Sequence, residues 1–395
     1  MKKGIFKIIP IACIALYSCN NDPDVIDKPI QQTNPEVQYR TNVEEAIYYA
    51  SKEMEKYKTN GKKGVSTQVE SVFPIVKPNY LKKSTPSQDT LLYLINYKEK
   101  GFAITGAQKY TDQIFAISTD SHFQIADTAN IPPLRQLINA YAEYVGQDTY
   151  GKKRHLSNAQ SHENMEEVLY YLPPLIDAEW DQRSGFEELY PRNEPAGCVP
   201  VALGMFCYYH KMPSTVNGYT FDWDLMHNIK KPIDMLIQKD GYDMVQRLLY
   251  ESAKIMGTKN GQTYTTDLVS CMKSYGFSYA YLLNFDPASI KWSMLARNVP
   301  FIMIGTSSTK SGHAWIVDGY RETITKTWDY ELGFYIEREN YLFHCNWGWG
   351  GTANGFYKYW NERHFYEFDL TNGPDWGRGM SSSYVFTDGF QYIDY

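Results

Sequence analysis

In the stretch EPAGCVPVALGMFCYYH, Glu194 to His210, a thiol stands where a loop turns into a helix. Pro200 is tolerated only in the first turn of a helix, so it marks the helix start beside Cys198. Gly197, directly before the cysteine, lets backbone or substrate come close. The thiolate is the reactive form of cysteine, and the unpaired N–H groups and dipole of a helix N-terminus lower its pKa. Cys198 is the candidate nucleophile. A nucleophile of this kind needs a base. Of eight histidines, His313 is the best placed, at the first residue of the apolar strand HAWIVDGY, with Gly312 beside it for access. A base needs its ring and tautomer fixed. Asn346 ends a later strand, YLFHCN, and its side-chain oxygen is the expected acceptor for the His313 ring. Trp347 follows, in NWGWGG, and is expected to wall the site against water. Acyl transfer also needs donors aimed at the developing oxyanion. Gln182, in the polar segment WDQ, can supply an amide, and the Cys198 N–H a second donor.

These groups must be positioned by something. The length, 395 residues, suggests more than one compact domain. The first is read as a small α+β unit. A helix over Thr41 to Tyr57 has Asn42 and Glu45 as its capping start and apolar Val43, Ala46, Ile47, Ala50 and Met54 on one face. Strands follow at Leu91 to Tyr97, at Phe102 to Thr105 across a KEKG turn, and at Ile114 to Ser118, before a helix over Leu134 to Val145. A polar connection runs from Gly146 to Asn164 and carries the basic triplet Lys152-Lys153-Arg154, a candidate cut site. The second unit begins with helices, after Cys198 and over Asp222 to Met256 with a break at Gly241. It ends in strands, at Phe301 to Ile304, His313 to Gly319, Tyr341 to Asn346 and Phe356 to Trp360. Helices first and a sheet second make an α+β arrangement with two lobes, and a cleft between the lobes is the natural ligand site.

The N-terminus speaks to export. Lys2, Lys3 and Lys7 precede an apolar run from Ile8 to Ser18, too short to span a bilayer but suited to a secretory signal. The run ends Leu16-Tyr17-Ser18-Cys19, which resembles a bacterial lipobox, implying that Cys19 carries lipid. The Asn-, Asp- and Pro-rich segment after it reads as a tether. A net charge of -6 gives no electrostatic case for nucleic-acid binding. No CxxC pair is present, so no structural zinc site is expected, and the Cys-His chemistry read above implies no metal or organic cofactor. Cys207 and Cys345 read as core, the latter alternating away from Asn346, and His210 and His344 read as structural.

The order Gln182, Cys198, His313, Asn346-Trp347 resembles that of papain-like cysteine peptidases. The wording WDQ, GCVPVALG with YYHKMP, GHAWIVDGY and NWGWGGTANGFY is similar to the streptopain family within them. The segment DTLLYLINYKEKGFAITGAQ resembles that family's inhibitory propeptide. The resemblance implies a two-lobed papain-like fold preceded by a small α+β propeptide. The expected division is 1–18 signal, 19–37 tether, 38–145 propeptide, 146–165 activation linker and 166–395 peptidase domain. It implies Cys198 as nucleophile, His313 as base then acid, Gln182 as oxyanion donor and Asn346 as the histidine's orienter. Pro200 and Glu194-Pro195 depart from the family's usual Ala and Ala/Thr residues. The expected function is an exported, lipid-anchored cysteine endopeptidase made as a zymogen, acting on proteins or peptides and held by its own propeptide. A silent binding lipoprotein, or a transpeptidase or amidase on the same residues, are the rival readings.

Overall fold

The computed structural model describes residues 40–59, 65–76, 90–108, 114–147, 165–191, 194–306, 312–329, 334–365, 382–385 and 390–395. The signal, the lipobox with Cys19, the tether and the Lys152-Lys153-Arg154 triplet lie outside these residues.

Helix α1 (Val43–Thr59) begins as its cap dictates. The Asn42 side chain accepts from the Glu45 N–H at 2.8 Å and the Glu45 carboxylate accepts from the Asn42 N–H at 3.0 Å, a reciprocal capping box. Its buried stripe, Ala46, Ala50, Met54 and Tyr57, faces a four-stranded meander of β1 (Val69–Ile75), β2 (Leu92–Tyr97), β3 (Phe102–Gly106) and β4 (Ile114–Ser118). Helix α2 (Pro132–Gln147) covers the other face of the sheet. Strand β1 escapes the sequence pattern because it is an edge strand, half exposed, with Pro74 inside it.

Strand β5 (Met165–Leu172) leads into the second unit. Its helices are α3 (Cys198–His210), the single turn α4 (Trp223–Met226), α5 (Lys239–Ile255), α6 (Thr265–Ser274) and α7 (Pro287–Arg297). Short strands β6 (Thr215–Val216) and β7 (Tyr219–Thr220) form a separate hairpin. The main strands are β8 (Tyr281–Asn284), β9 (Phe301–Thr306), β10 (Gly312–Asp329), β11 (Phe334–Asn346), β12 (Gly355–Phe365), β13 (Ser382–Val385) and β14 (Phe390–Asp394). Helix α3 is apolar all round, as a helix enclosed by protein must be. Ile302, Ile304, Ala314 and Ile316 of β9 and β10 share its core with Leu248 and Leu249 of α5. The alternate residues Phe301, Met303, Trp315 and Val317 face the core that α2 and α7 complete.

Two features differ from the sequence reading. Gly241 is not a break. The chain leaves its helix after Met226, passes a 3-10 turn at Pro232–Leu236, and Gly241 then lies inside α5. A Cβ there would lie 2.6 Å from the Leu225 carbonyl oxygen, so the glycine serves a close approach to α4. Nor are the two units separate bodies. The sheet runs β1-β2-β3-β4-β12-β11-β10-β9-β14-β8, with β13 on β12 and β5 on β10, twelve strands in all. Strand β4 joins β12 through the pairs Ile117–Phe356 and Ala116–Tyr357. An open edge is a template for another strand, and here each unit closes an edge of the other.

Candidate active site

Cys198 is the first residue of α3, preceded by Gly197 at φ +93°. That backbone conformation suits glycine alone, and a Cβ on Gly197 would meet the Gly261 carbonyl oxygen at 2.8 Å. The close approach expected at Gly197 is therefore made by the turn around Gly261. Three backbone N–H groups favour negative charge on the sulfur, those of Ala314, Val199 and Cys198. Burial outweighs them and pushes the thiol above its ordinary value. The depressed pKa expected from the helix start is thus absent in this form. The helix N-terminus is present, but desolvation of the sulfur is the larger effect.

The influence of the Ala314 N–H on the sulfur places Cys198 beside the start of β10, one residue from His313. Gly312 is exposed there and pairs with Thr306 across the sheet. His313 is buried, 4% exposed, and lies on the face of β10 that carries Trp315, whose ring is parallel to it at 6.3 Å. Its Nε2 is 2.8 Å from the Trp347 carbonyl oxygen, to which the ring N–H donates. Burial lowers its pKa to about 4, against the smaller opposing effect of that carbonyl. At neutral pH the ring is neutral and the thiol is protonated. No hydrogen bond joins Cys198 to His313 among the described residues.

Asn346 and Trp347 are placed differently from expectation. The Asn346 amide donates to the Ala178 carbonyl at 2.7 Å, and its oxygen accepts from the Gly348 N–H at 3.3 Å. It does not reach His313 in this structure. The turn after β11 brings the next carbonyl to the ring instead. The Trp347 side chain is fully buried, against Trp315 at 5.2 Å and Tyr357 at 5.4 Å, with Nε1 donating to the Ala353 carbonyl at 3.0 Å. A side chain so enclosed cannot line a substrate cleft, and Trp347 is a core residue that fixes the turn. The half-buried Trp349, ring centroid 6.5 Å from His313, takes the wall position. The sequence held this signal in the second tryptophan of NWGWGG, but two tryptophans two residues apart could not be told apart without the turn's path.

That path needs its glycines. Gly348, Gly350 and Gly351 have φ of +70°, +62° and +84°. The Gly350 N–H donates to the Trp180 carbonyl at 3.2 Å, which draws the turn onto the WDQ segment. Gln182 is 9% exposed, and its carbonyl accepts from the Ala196 N–H at 2.9 Å, tying WDQ to the loop before Cys198. Burial raises the Asp181 carboxyl beside it. The fold therefore gathers Gln182, Cys198, His313 and the Asn346-Trp347 turn into one region from four separated segments.

The first unit abuts this region. The Ser121 hydroxyl donates to the Gly351 carbonyl, and the Ala353 N–H donates to the His122 carbonyl at 3.0 Å. The loop after β4 thereby holds the turn whose Trp347 carbonyl holds His313. Among the described residues no cluster of His, Cys, Asp or Glu could hold a metal ion. Cys207, Cys345 and His344 are buried and His210 is half-buried; Tyr395 partners His210, Asp318 partners His344 and Tyr359 partners Cys345.

The peptidase C10 family model matches residues 180–357, and that of the Spi protease inhibitor matches residues 33–145. Residues 180–357 form a peptidase domain of the C10, or streptopain, family. The chain carries this peptidase domain and an inhibitor domain in one polypeptide. Streptopain of Streptococcus pyogenes is 21% identical over 315 residues, 68% of this chain and 73% of that protein. The thiol protease/hemagglutinin PrtT of Porphyromonas gingivalis is 21% identical over 358 residues, 79% of this chain. The chain spans 38% of that relative's length. Prointerpain A of Prevotella intermedia shares the fold, with a TM-score of 0.52 at 19% identity over 82% of this chain and 98% of that one.

Proposed function

We propose that the chain is the latent form of a cysteine endopeptidase, with Cys198 and His313 brought into register only when the inhibitor domain leaves. The observation that carries this reading is the His313 bond to the Trp347 carbonyl, in a turn pinned by Ser121 and His122 of the inhibitor domain. Once released, the ring turns to the sulfur and takes its proton. The thiolate attacks the peptide carbonyl, and the oxyanion forms against the Cys198 N–H and the Gln182 amide. His313 then protonates the leaving amine, and water hydrolyses the acyl-enzyme. Cutting of the segment between 147 and 165, with Lys152-Lys153-Arg154 as candidate, begins the release. The lipobox-like end at Cys19 supports an exported protein tethered to a membrane by lipid.

The test compares the soluble chain from Asn20 with its Cys198→Ala twin. Under mild reductant, the first is expected to trim itself and degrade casein, and the twin to do neither. A cut wild-type chain freed of its inhibitor domain and still inert on casein would end the endopeptidase reading. Labelling with a radioactive fatty acid, present in the full chain and lost in Cys19→Ser, tests the anchor.

A further inference from the structure

Helix α1 of the inhibitor domain places one charge where water cannot reach it. Glu53 is 3% exposed and Arg321, in β10 of the peptidase domain, is 2% exposed. Their side chains form an ion pair across the boundary between the domains. Lys56, one turn along α1, is 2.7 Å from the same carboxylate. Tyr57 lies under the guanidinium at 5.3 Å and meets Tyr171 of β5 edge-on at 5.9 Å. Arg321 stands opposite Tyr171 on one neighbouring strand and Leu342 on the other, so it rises from the middle of the sheet. Burial by itself raises Glu53, but Arg321 and then Lys56 outweigh it and hold the carboxyl below its ordinary value.

A cut between 147 and 165 touches none of this. It also leaves the β4–β12 pairing, the Ser121 and His122 contacts, and the Tyr141 hydroxyl bond to the Lys358 carbonyl at 2.6 Å. Breaking a buried ion pair from one side leaves an uncompensated charge, which is far costlier than losing an exposed pair. We propose that Arg321 with Tyr171 forms a carboxylate socket on the peptidase that grips Glu53 of α1. Cutting the linker therefore leaves a two-fragment latent complex, and release requires the destruction or displacement of α1. This rests on the latent-peptidase reading and adds the residue pair that sets when latency ends.

The test uses the full soluble chain carrying Cys198→Ala and a site-specific protease sequence inserted between 147 and 165. The cut chain is run on gel filtration at falling concentration. Both fragments are expected to co-elute. Glu53→Gln and Arg321→Met should each raise the dissociation constant by roughly a hundredfold to several thousandfold. The double reversal Glu53→Lys with Arg321→Glu should bind more tightly than either reversal alone. The uncut variants, with circular dichroism and a cooperative melt, show that the singles still fold. Fragments of the unaltered chain that separate as readily as those of Glu53→Gln would overturn the proposal, as would a double reversal no tighter than its singles. The readout needs no catalysis, so it stands apart from the peptidase reading. With Cys198 restored, a Glu53→Gln chain that dissociates yet hydrolyses no peptide refutes the activity and leaves the socket intact.

Discussion

Gly355 offers a way to loosen the inhibitor domain from the peptidase side with one methyl group. It is the first residue of β12, opposite Cys345 in the sheet. A Cβ added there would lie 2.9 Å from the Ile117 carbonyl oxygen, 3.0 Å from the Ser118 Cβ and 3.1 Å from the Phe102 ring. All three atoms belong to the inhibitor domain. Two of the contacts are with strand backbone or a short side chain, which cannot swing aside. The domains must separate by several tenths of an ångström, across the β4–β12 pairing itself. Overpacking of this kind costs about 1–3 kcal/mol. At 1.4 kcal/mol per factor of ten, Gly355→Ala should weaken docking by roughly 5- to 150-fold. The three nearest atoms all leave with the inhibitor domain, so the released peptidase should be unaffected. The assay is the rate at which the purified soluble chain becomes active on a fluorogenic peptide, followed by kcat/KM of the mature product. Gly355→Ala should activate faster and finish with an unchanged kcat/KM. An activation rate equal to that of the unaltered chain would refute the reasoning that this edge carries docking energy. A reduced kcat/KM of the mature form would show that Gly355 serves the site instead.

Other outcomes follow from the same geometry. His313 and His210 both have folded pKa values lowered to about 4 by burial, below the unfolded value of about 6.5. The unfolded chain then binds more protons between those values, so stability is full above about pH 6.5 and falls as pH drops toward about 4. A shift of this size is worth roughly 3 kcal/mol at the buried His313, and thermal melts of the Cys198→Ala chain from pH 7.5 to 4.5 should show the decline. Gly197→Ala forces a methyl to 2.8 Å from the Gly261 carbonyl at φ +93°. It should cost about 1–3 kcal/mol of stability, with mature kcat reduced more than tenfold because the strain falls on the residue before the nucleophile. Asp318 is fully buried, accepting from the Ile176 N–H at 2.8 Å and pairing with His344 Nδ1 at 2.6 Å. Asp318→Asn keeps the shape and loses a charge-assisted acceptor, and should lower stability by about 2 kcal/mol in denaturant titration.

How much of this was legible depended on whether a feature was local. The capping box at Asn42 and Glu45, the strand at Leu92–Tyr97 and the proline-marked start of α3 were read correctly because each rests on neighbours within a few residues. Gly241 misled because glycine serves two purposes. It breaks helices, and it also admits a neighbouring backbone, here the Leu225 carbonyl. The region that holds Gln182, Cys198, His313 and Asn346 was legible as a set of residue types in order. The bonds among them were not. The His313 ring finds the Trp347 carbonyl rather than the Asn346 amide because three left-handed glycines steer the turn, and backbone carbonyls leave no mark in a sequence.

The sequence by itself determined which side chains could do the chemistry, because nucleophile, base, amide and turn glycines are matters of residue type and short spacing. It also determined most of the helices and strands that carry them. The tertiary structure alone decided their state. Desolvation raises the Cys198 thiol against three N–H groups and lowers the His313 ring, and burial is a property of the packed whole. It alone decided that β4 closes the edge of β12, and that Glu53 meets Arg321 across 268 residues of chain. Such contacts are fixed by the shape of two surfaces together, and nothing within a few residues of either partner encodes the other.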